Sequence, residues 1–232
     1  MKKLLSFIVQ KIIILSDILI HRRRINNFLN KKNFKIKNIY DIGSNNGEYT
    51  LLFNRLYPNS KIFSFEPNLK LIKDFKRKTK KFNNIKIINN AVGNSNKYID
   101  LKIDENSSLT TSLATNNKKS STYKIKKFLY GKSKGKKNKI KLIKLDTFIA
   151  NNTIPDLLKI DVEGYEEEVL KGVKQNIKKI KLIMIEFHFD KLYIGYNPNR
   201  LHNFLIKNKF THIKSIKFPV LNWEDRFYLN DN

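Results

Sequence analysis

Three carboxylates in this chain each close a short apolar run and stand just before a turn-forming residue: Asp41 in YDIGSNNG, Glu66 in FSFEPN and Asp161 in LLKIDVEG. Acids at the carboxyl ends of strands lie where open α/β sheets bind their ligands. Gly43 and Gly47, with Asn45 between them, let the backbone turn tightly beside a ligand while the next helix N-terminus faces it. The glycines are four apart, without the GxGxxG spacing that holds a pyrophosphate. That favours a nucleoside cofactor lacking phosphate, such as S-adenosylmethionine, over a nicotinamide dinucleotide. Glu66 offers two oxygens to the two hydroxyls of a ribose, and Asn90 in INNAVGN an amide to the adenine edge. In plainer readings Glu66 is a helix-start carboxylate and Asn90 a turn residue.

A second group has the chemistry of transfer. Asp161 and Glu163 share one strand end, where carboxylates would attract a sulfonium and a base could take a proton from an attacking hydroxyl. Glu186 and His188 fall on one side of the strand MIEFH by its period of two, as a base pair or as metal ligands. Oxygen donors such as Asp161 and Glu186 would suit Mg²⁺. The alternatives are that Glu163 caps a helix or pairs with a lysine, and that Glu186 and His188 are a satisfied buried pair. Glu166, Glu167 and Glu168 read as a solvated first helical turn, and His21, His202 and His212 as ordinary helix or surface residues.

These residues need a parallel sheet to bring them together, and from Lys37 the chain alternates strand-like and helix-like runs as such a sheet requires. Strands are expected at 38–43, 61–65, 85–90, 98–103, 139–145, 157–162, 180–189, 211–218 and 226–229. Helices are expected at 47–57, 68–82, 146–151, 165–177 and 199–207. The polar stretch from about 105 to 138 reads as a variable loop or lid. The expected architecture is α/β, a Rossmann-like, seven-stranded, mostly parallel sheet flanked by helices and finished by a hairpin. One domain at 37–232 would carry an N-terminal helical extension at 1–36.

Composition narrows the chemistry further. With no cysteine there is no disulfide, thiolate metal site or cysteine nucleophile. The net charge of +27 would ordinarily point to nucleic acid or an anionic membrane, but lysine, asparagine and isoleucine are the residues an AT-rich genome favours. The lysine-rich segment 118–139 interleaves only Tyr123, Phe128 and Tyr130, and the chain has no adjacent prolines, so nucleic acid is not the expected partner. In the first 24 residues Lys3, Ser6, Gln10, Asp17, His21 and Arg24 form one polar stripe on a helix that is otherwise Leu, Ile, Val and Phe. This amphipathic helix is expected to pack on the domain or on a dimer mate, with peripheral contact to a membrane through residues 3–24 as the alternative. The expected location is the cytoplasm, including the inner face of its membrane.

Taken in order, YDIGSNNGEYT, FSFEPN, INNAVGN, IKLDTF, LLKIDVEGYEEEVLKG and IMIEFH resemble the FkbM family of adenosylmethionine-dependent methyltransferases. The resemblance runs from Tyr40 to His188, and its specific element is LKIDVEG followed by a helix ending in VLKG. It implies a class I methyltransferase fold and O-methylation of a hydroxyl on a sugar or polyketide, with a cell-surface polysaccharide or glycan as the expected acceptor. Asp41, Gly43, Asn45, Gly47 and Glu66 fall on the family's cofactor motifs, and Asp161, Glu163 and Glu186 on its acidic positions. The competing readings are an RNA methyltransferase and a non-catalytic module that keeps the cofactor fold as a scaffold.

Overall fold

The computed structural model describes residues 2–103, 112–131 and 136–231. The chain opens with α1 (Lys2–Ser16), one π-helical turn (Asp17–His21) and α2 (Arg22–Lys32), which together make a 31-residue helix. Then come β1 (Asn38–Ile42), α3 (Glu48–Leu56), β2 (Lys61–Phe65), α4 (Leu69–Thr79) and β3 (Ile85–Ile88). The middle of the chain forms β4 (Ala91–Val92), β5 (Lys97–Ile103), α5 (Ser121–Tyr130), β6 (Lys136–Ile143) and α6 (Leu145–Ile149). The rest is β7 (Leu157–Ile160), α7 (Glu166–Gly172), β8 (Leu182–His188), α8 (Pro198–Lys207), β9 (Phe210–Lys217) and β10 (Trp223–Asn230).

Seven strands form the main sheet in the order β3-β2-β1-β7-β8-β10-β9. The first five are parallel, and β10 runs antiparallel to both β8 and β9. Covered on both faces, the central strands are continuous apolar runs rather than alternating ones, and every residue of β7 and β8 is buried. The chain steps outward from β1 to β3 and then returns to place β7 on the other side of β1. The strand order therefore reverses between β1 and β7, and a crevice opens there beyond the carboxyl ends of the strands.

Two apolar layers hold the sheet. On one face Tyr40, Phe63, Leu158 and Ile183 meet Leu145 of α6, Leu170 of α7 and Leu201 of α8. On the other, Ile39, Ile62, Leu157 and Met184 meet Phe53 of α3 together with Ile25 and Leu29 of α2. Thus α2, expected within a separate extension, is part of the layer that covers the sheet. α1 alone contributes no buried residue.

Three expectations change. Residues 104–111 and 132–135 of the anticipated loop lie outside the described residues, but 121–130 form helix α5 and β6 begins at 136. Ser120 caps α5 by accepting the Tyr123 N–H at 3.2 Å, and Leu129 and Thr122 are buried beneath lysines that point outward. β5 and β6 pair antiparallel with each other, and β4 pairs parallel with β6, in a separate three-stranded sheet. α7 ends at Gly172 rather than near 177, followed by a short 3₁₀ turn at Ile177–Lys179.

The burial of α2 makes a direct prediction. Leu29→Ala should destabilise the whole domain by about 2–5 kcal/mol, read as a single shifted urea transition by far-UV circular dichroism. A loss below about 0.5 kcal/mol would mean that α2 is an appendage.

Candidate functional site

The loop after β1 can be followed atom by atom. Gly43 has a φ of +76°, and a Cβ there would sit 1.8 Å from the Asp161 carbonyl oxygen, so no side chain fits. The Gly43 and Ser44 N–H groups both donate to the Phe65 carbonyl at 3.0 Å, which draws the loop across the end of β2. Asn45, also left-handed at φ 51°, then aims its N–H at Glu66 Oε2 at 2.9 Å, while the Asn68 N–H donates to Oε1 at 2.8 Å. Gly47 starts α3 at φ +84°, with the Phe75 ring in the space a Cβ would need.

Glu66 is thereby held at the rim of a cleft whose wall also includes Gly43, Asn45, Phe65, Asp161 and Glu163. Burial pushes its carboxyl up to about 7 against the opposing pull of the two N–H donors. Each oxygen still has a lone pair for a further donor. Three of the expected cofactor residues line neither cavity: Asp41, Asn90 and Gly47, the last packed against the Phe75 ring. Asp41 is fully buried beneath the loop, where the Thr50 hydroxyl donates to it at 2.7 Å and Lys159 Nζ stands 3.3 Å away, and it lines neither cavity. Asn90 faces a separate groove, donating to the Lys141 carbonyl at 3.4 Å.

A second cavity adjoins the first and shares Gly43, Asn45, Asp161 and Glu163 with it. Its floor carries Glu186, His188, Asp225, Lys126, Lys159 and Tyr49. Asp161 is expected at the sulfonium, and it stands at the junction with its carboxylate 3.2 Å from Lys159 Nζ. Lys159 also lies 3.3 Å from Asp41 and donates to the Gly43 carbonyl at 3.2 Å. Burial would drive its proton off, but the carboxylates of Asp161, Asp41 and Asp225 win and hold the ammonium well above its ordinary range.

Glu163 has a φ of 56°, which is strained for a residue with a Cβ. Its side chain is held by Lys126 at 2.8 Å and by the Tyr193 hydroxyl. Burial raises the Glu163 carboxyl, yet the Lys126 ammonium, with the hydrogen bonds from Lys126 and Tyr193, outweighs it and holds the group below its ordinary range. Glu186 goes the other way: burial, reinforced by the nearby Asp161 and Glu163 charges, lifts it well above the carboxylate range. His188 lies 2.9 Å from Glu186, and burial lowers it despite the pull of Glu166 and Glu163. Burial thus pushes both members of the pair toward their uncharged forms, the carboxyl up and the imidazole down.

Glu163, Glu186 and His188 put their ligand atoms within 4.8 Å of one another. A magnesium ion fits these residues poorly, since it wants oxygen donors in near-octahedral array. One donor here is an imidazole, Glu163 is already paired with Lys126, and Asp161 with Lys159.

Other site residues escape the motif reading. Lys159 did leave a signal, being a lysine inside a fully buried strand two residues from Asp161 and therefore on its face. Lys126 and Tyr193 left none, because their partner is distant in sequence. His21 is not a surface residue: it is fully buried and bonded to Asp225 at 2.8 Å. Glu166 is not solvated either, because it accepts the N–H groups of Val162 and Gly164 at 3.1 and 3.0 Å and so ties the β7 loop to α7.

The geometry can now be set beside known proteins. No curated protein matches this sequence. Among solved structures, the methyltransferase FkbM of Methylobacillus flagellatus KT superimposes with a TM-score of 0.55 at 14% identity, over 83% of this chain and 43% of that one. This chain therefore spans less than half the length of that protein. The N-methyltransferase NodS of Bradyrhizobium japonicum WM9 gives 0.52 at 11% identity, over 93% of this chain and 99% of that one. The magnesium protoporphyrin IX methyltransferase of Synechocystis PCC 6803, solved with bound S-adenosylmethionine, gives 0.51 at 8% identity over 90% and 78%. These likenesses establish the class I methyltransferase fold. The family model for the methyltransferase FkbM domain matches residues 41–214, from the first loop acid through β9, and by that match the protein belongs to the FkbM methyltransferase family.

Proposed function

We propose that this protein is an S-adenosylmethionine-dependent O-methyltransferase acting on a hydroxyl of a sugar in a glycan. The carrying observation is the meeting of two cavities at Gly43, Asn45, Asp161 and Glu163. The first, with Glu66 at its rim, suits an adenosine whose ribose hydroxyls donate to the carboxylate. The second suits the acceptor. A methyl carbon at the junction would sit beside the Asp161 and Glu163 anions, which favour the sulfonium by charge attraction, and would be open to in-line attack from the second cavity.

A hydroxyl nucleophile must lose its proton as it attacks. His188 lines the acceptor cavity, buried and with its imidazole pushed toward the neutral form, so it is the group placed to receive that proton. The acceptor cavity also presents Asp17, Glu48, Asp161, Glu163, Glu186 and Asp225. That many carboxylates suit a polyhydroxylated acceptor, whose hydroxyls donate to them.

Calorimetric titration with S-adenosylmethionine, S-adenosylhomocysteine and NAD⁺ is the primary test. Micromolar binding of the first two and none of NAD⁺ is expected, and failure of all three would support the scaffold reading.

Glu66 gives this binding a pH dependence. Ribose hydroxyls donate to the ionised carboxylate, whereas in the free protein Glu66 titrates near 7. Below that pH a proton must leave before the ligand binds, so affinity for S-adenosylhomocysteine should fall by up to tenfold per pH unit. Glu66→Gln should weaken binding by roughly 1.5–3 kcal/mol and flatten the profile; a wild-type profile that is already flat would place the ribose elsewhere.

Asp161→Asn and His188→Gln should keep that affinity near wild type while lowering the rate of labelled methyl transfer to glycan acceptors by about 10²–10³. Wild-type rates in both variants would remove them from the reaction.

A further inference from the structure

The N-terminal helix is mounted the reverse way from an ordinary amphipathic helix. The middle of its polar stripe, from Ser6 to His21, faces the protein: the Ser6 hydroxyl and the Gln10 amide both donate to the Leu129 carbonyl at the end of α5, at 2.9 and 2.6 Å. Further along, Asp17 pairs with Arg22 at 3.0 Å and His21 with Asp225. The apolar side therefore faces outward. Leu4, Leu5, Phe7, Ile12, Leu15 and Leu19 are each about half exposed or more. Over its most apolar window the helix has a mean hydropathy of 1.9 and is only 6% buried, and by length and composition it could cross a membrane.

Three features choose the occupant of this face. Its flanks are cationic and exposed, with Lys2 and Lys3 at one end, Lys11 in the middle and Arg23 and Arg24 at the other, within a chain of net charge +27. That is the charge an anionic bilayer attracts, and an apolar face of this breadth is what an interfacial helix buries at the acyl boundary. The inward hydrogen bonds to Leu129 hold the helix along the domain, which suits lying in the interface rather than crossing it. Finally, Ile13, Ile14 and Ile18 line the acceptor cavity together with Phe218, Leu221 and Trp223.

We infer that α1 seats the protein on an anionic membrane surface, with the acceptor cavity opening at the bilayer, so that the acceptor is an amphiphile whose sugar is carried on a lipid. The choice of acceptor rests on the methyltransferase reading above, whereas the membrane contact does not. A lipid-borne substrate would keep its apolar part against the bilayer and the α1 isoleucines while its hydroxyl reached Asp161 and His188.

The test is flotation of the full chain with vesicles of phosphatidylcholine alone or containing about one third phosphatidylglycerol. Flotation with the anionic vesicles, reduced at high salt and at least tenfold lower for Leu5→Glu/Ile12→Glu/Leu19→Glu, is expected. These exposed positions lie outside both cavities, so S-adenosylhomocysteine binding by the triple variant should match wild type and show that the fold is intact. No flotation, equal flotation of the variant, or a wild-type dimer that the variant dissociates would overturn the membrane contact. Retention in the bilayer after alkaline carbonate extraction would replace the interfacial arrangement with a spanning one. If flotation succeeds while S-adenosylhomocysteine fails to bind wild type, the functional reading fails and the membrane contact stands.

Discussion

The buried ammonium of Lys159 is the interaction around which the catalytic end of the sheet is arranged. β1 and β7 lie side by side and parallel, with Asp41 one residue before the end of β1 and Asp161 directly after β7. Lys159 stands between them, 3.3 Å from Asp41 and 3.2 Å from Asp161, and also holds the Gly43 carbonyl. It ties the first loop to the β7 end and holds the Asp161 carboxylate where the two cavities join. Such a group is costly to bury alone, and its value lies in having all its partners at once. Asp41 thus serves the site from beneath, by positioning Lys159 and, through Thr50, the start of α3.

The same logic of compensating charge runs across the acceptor cavity. Glu163 is held low because Lys126 reaches it from α5, whereas burial, and then the charges of Asp161 and Glu163, push Glu186 up. Two glutamates, one on the loop after β7 and one on β8, are therefore shifted in opposite directions by what lies beside them. Helix α5, from the lysine-rich segment, is in this sense part of the site.

How much of this the sequence discloses depends on the reach of each interaction. The turn at Gly43 to Gly47, Glu66 before its proline, and the acids after β7 are local: strand, turn and side chain lie within a few residues, so spacing alone places them at one sheet edge. Asn90 resembled them in spacing, yet the local course of the chain after β3 takes its amide into another groove. Lys126, Tyr193 and the His21–Asp225 pair depend on partners 30 to 204 residues away, and no local pattern encodes such a meeting. α5 was obscured for a compositional reason, since lysines mask its few buried positions, and β5 and β6 have the strand period but pair apart from the main sheet.

The π-helical turn at Asp17–His21 joins two helices whose demands differ. Ile25 and Leu29 of α2 must point into the core, while Ser6 and Gln10 of α1 must point toward α5. A helix advances about 100° per residue, and a π turn commonly accommodates one residue more than an α-helical turn. The extra residue works as an angular offset between the two halves. Deleting one residue there would leave α2 seated but swing α1 by about a quarter turn about its axis, taking Ser6 and Gln10 away from Leu129 and rolling the apolar side toward the protein. The orientation of the entire N-terminal face thus hangs on the phase of one helical turn, and changes in chain length at 17–21 would be felt far more than changes in side chain.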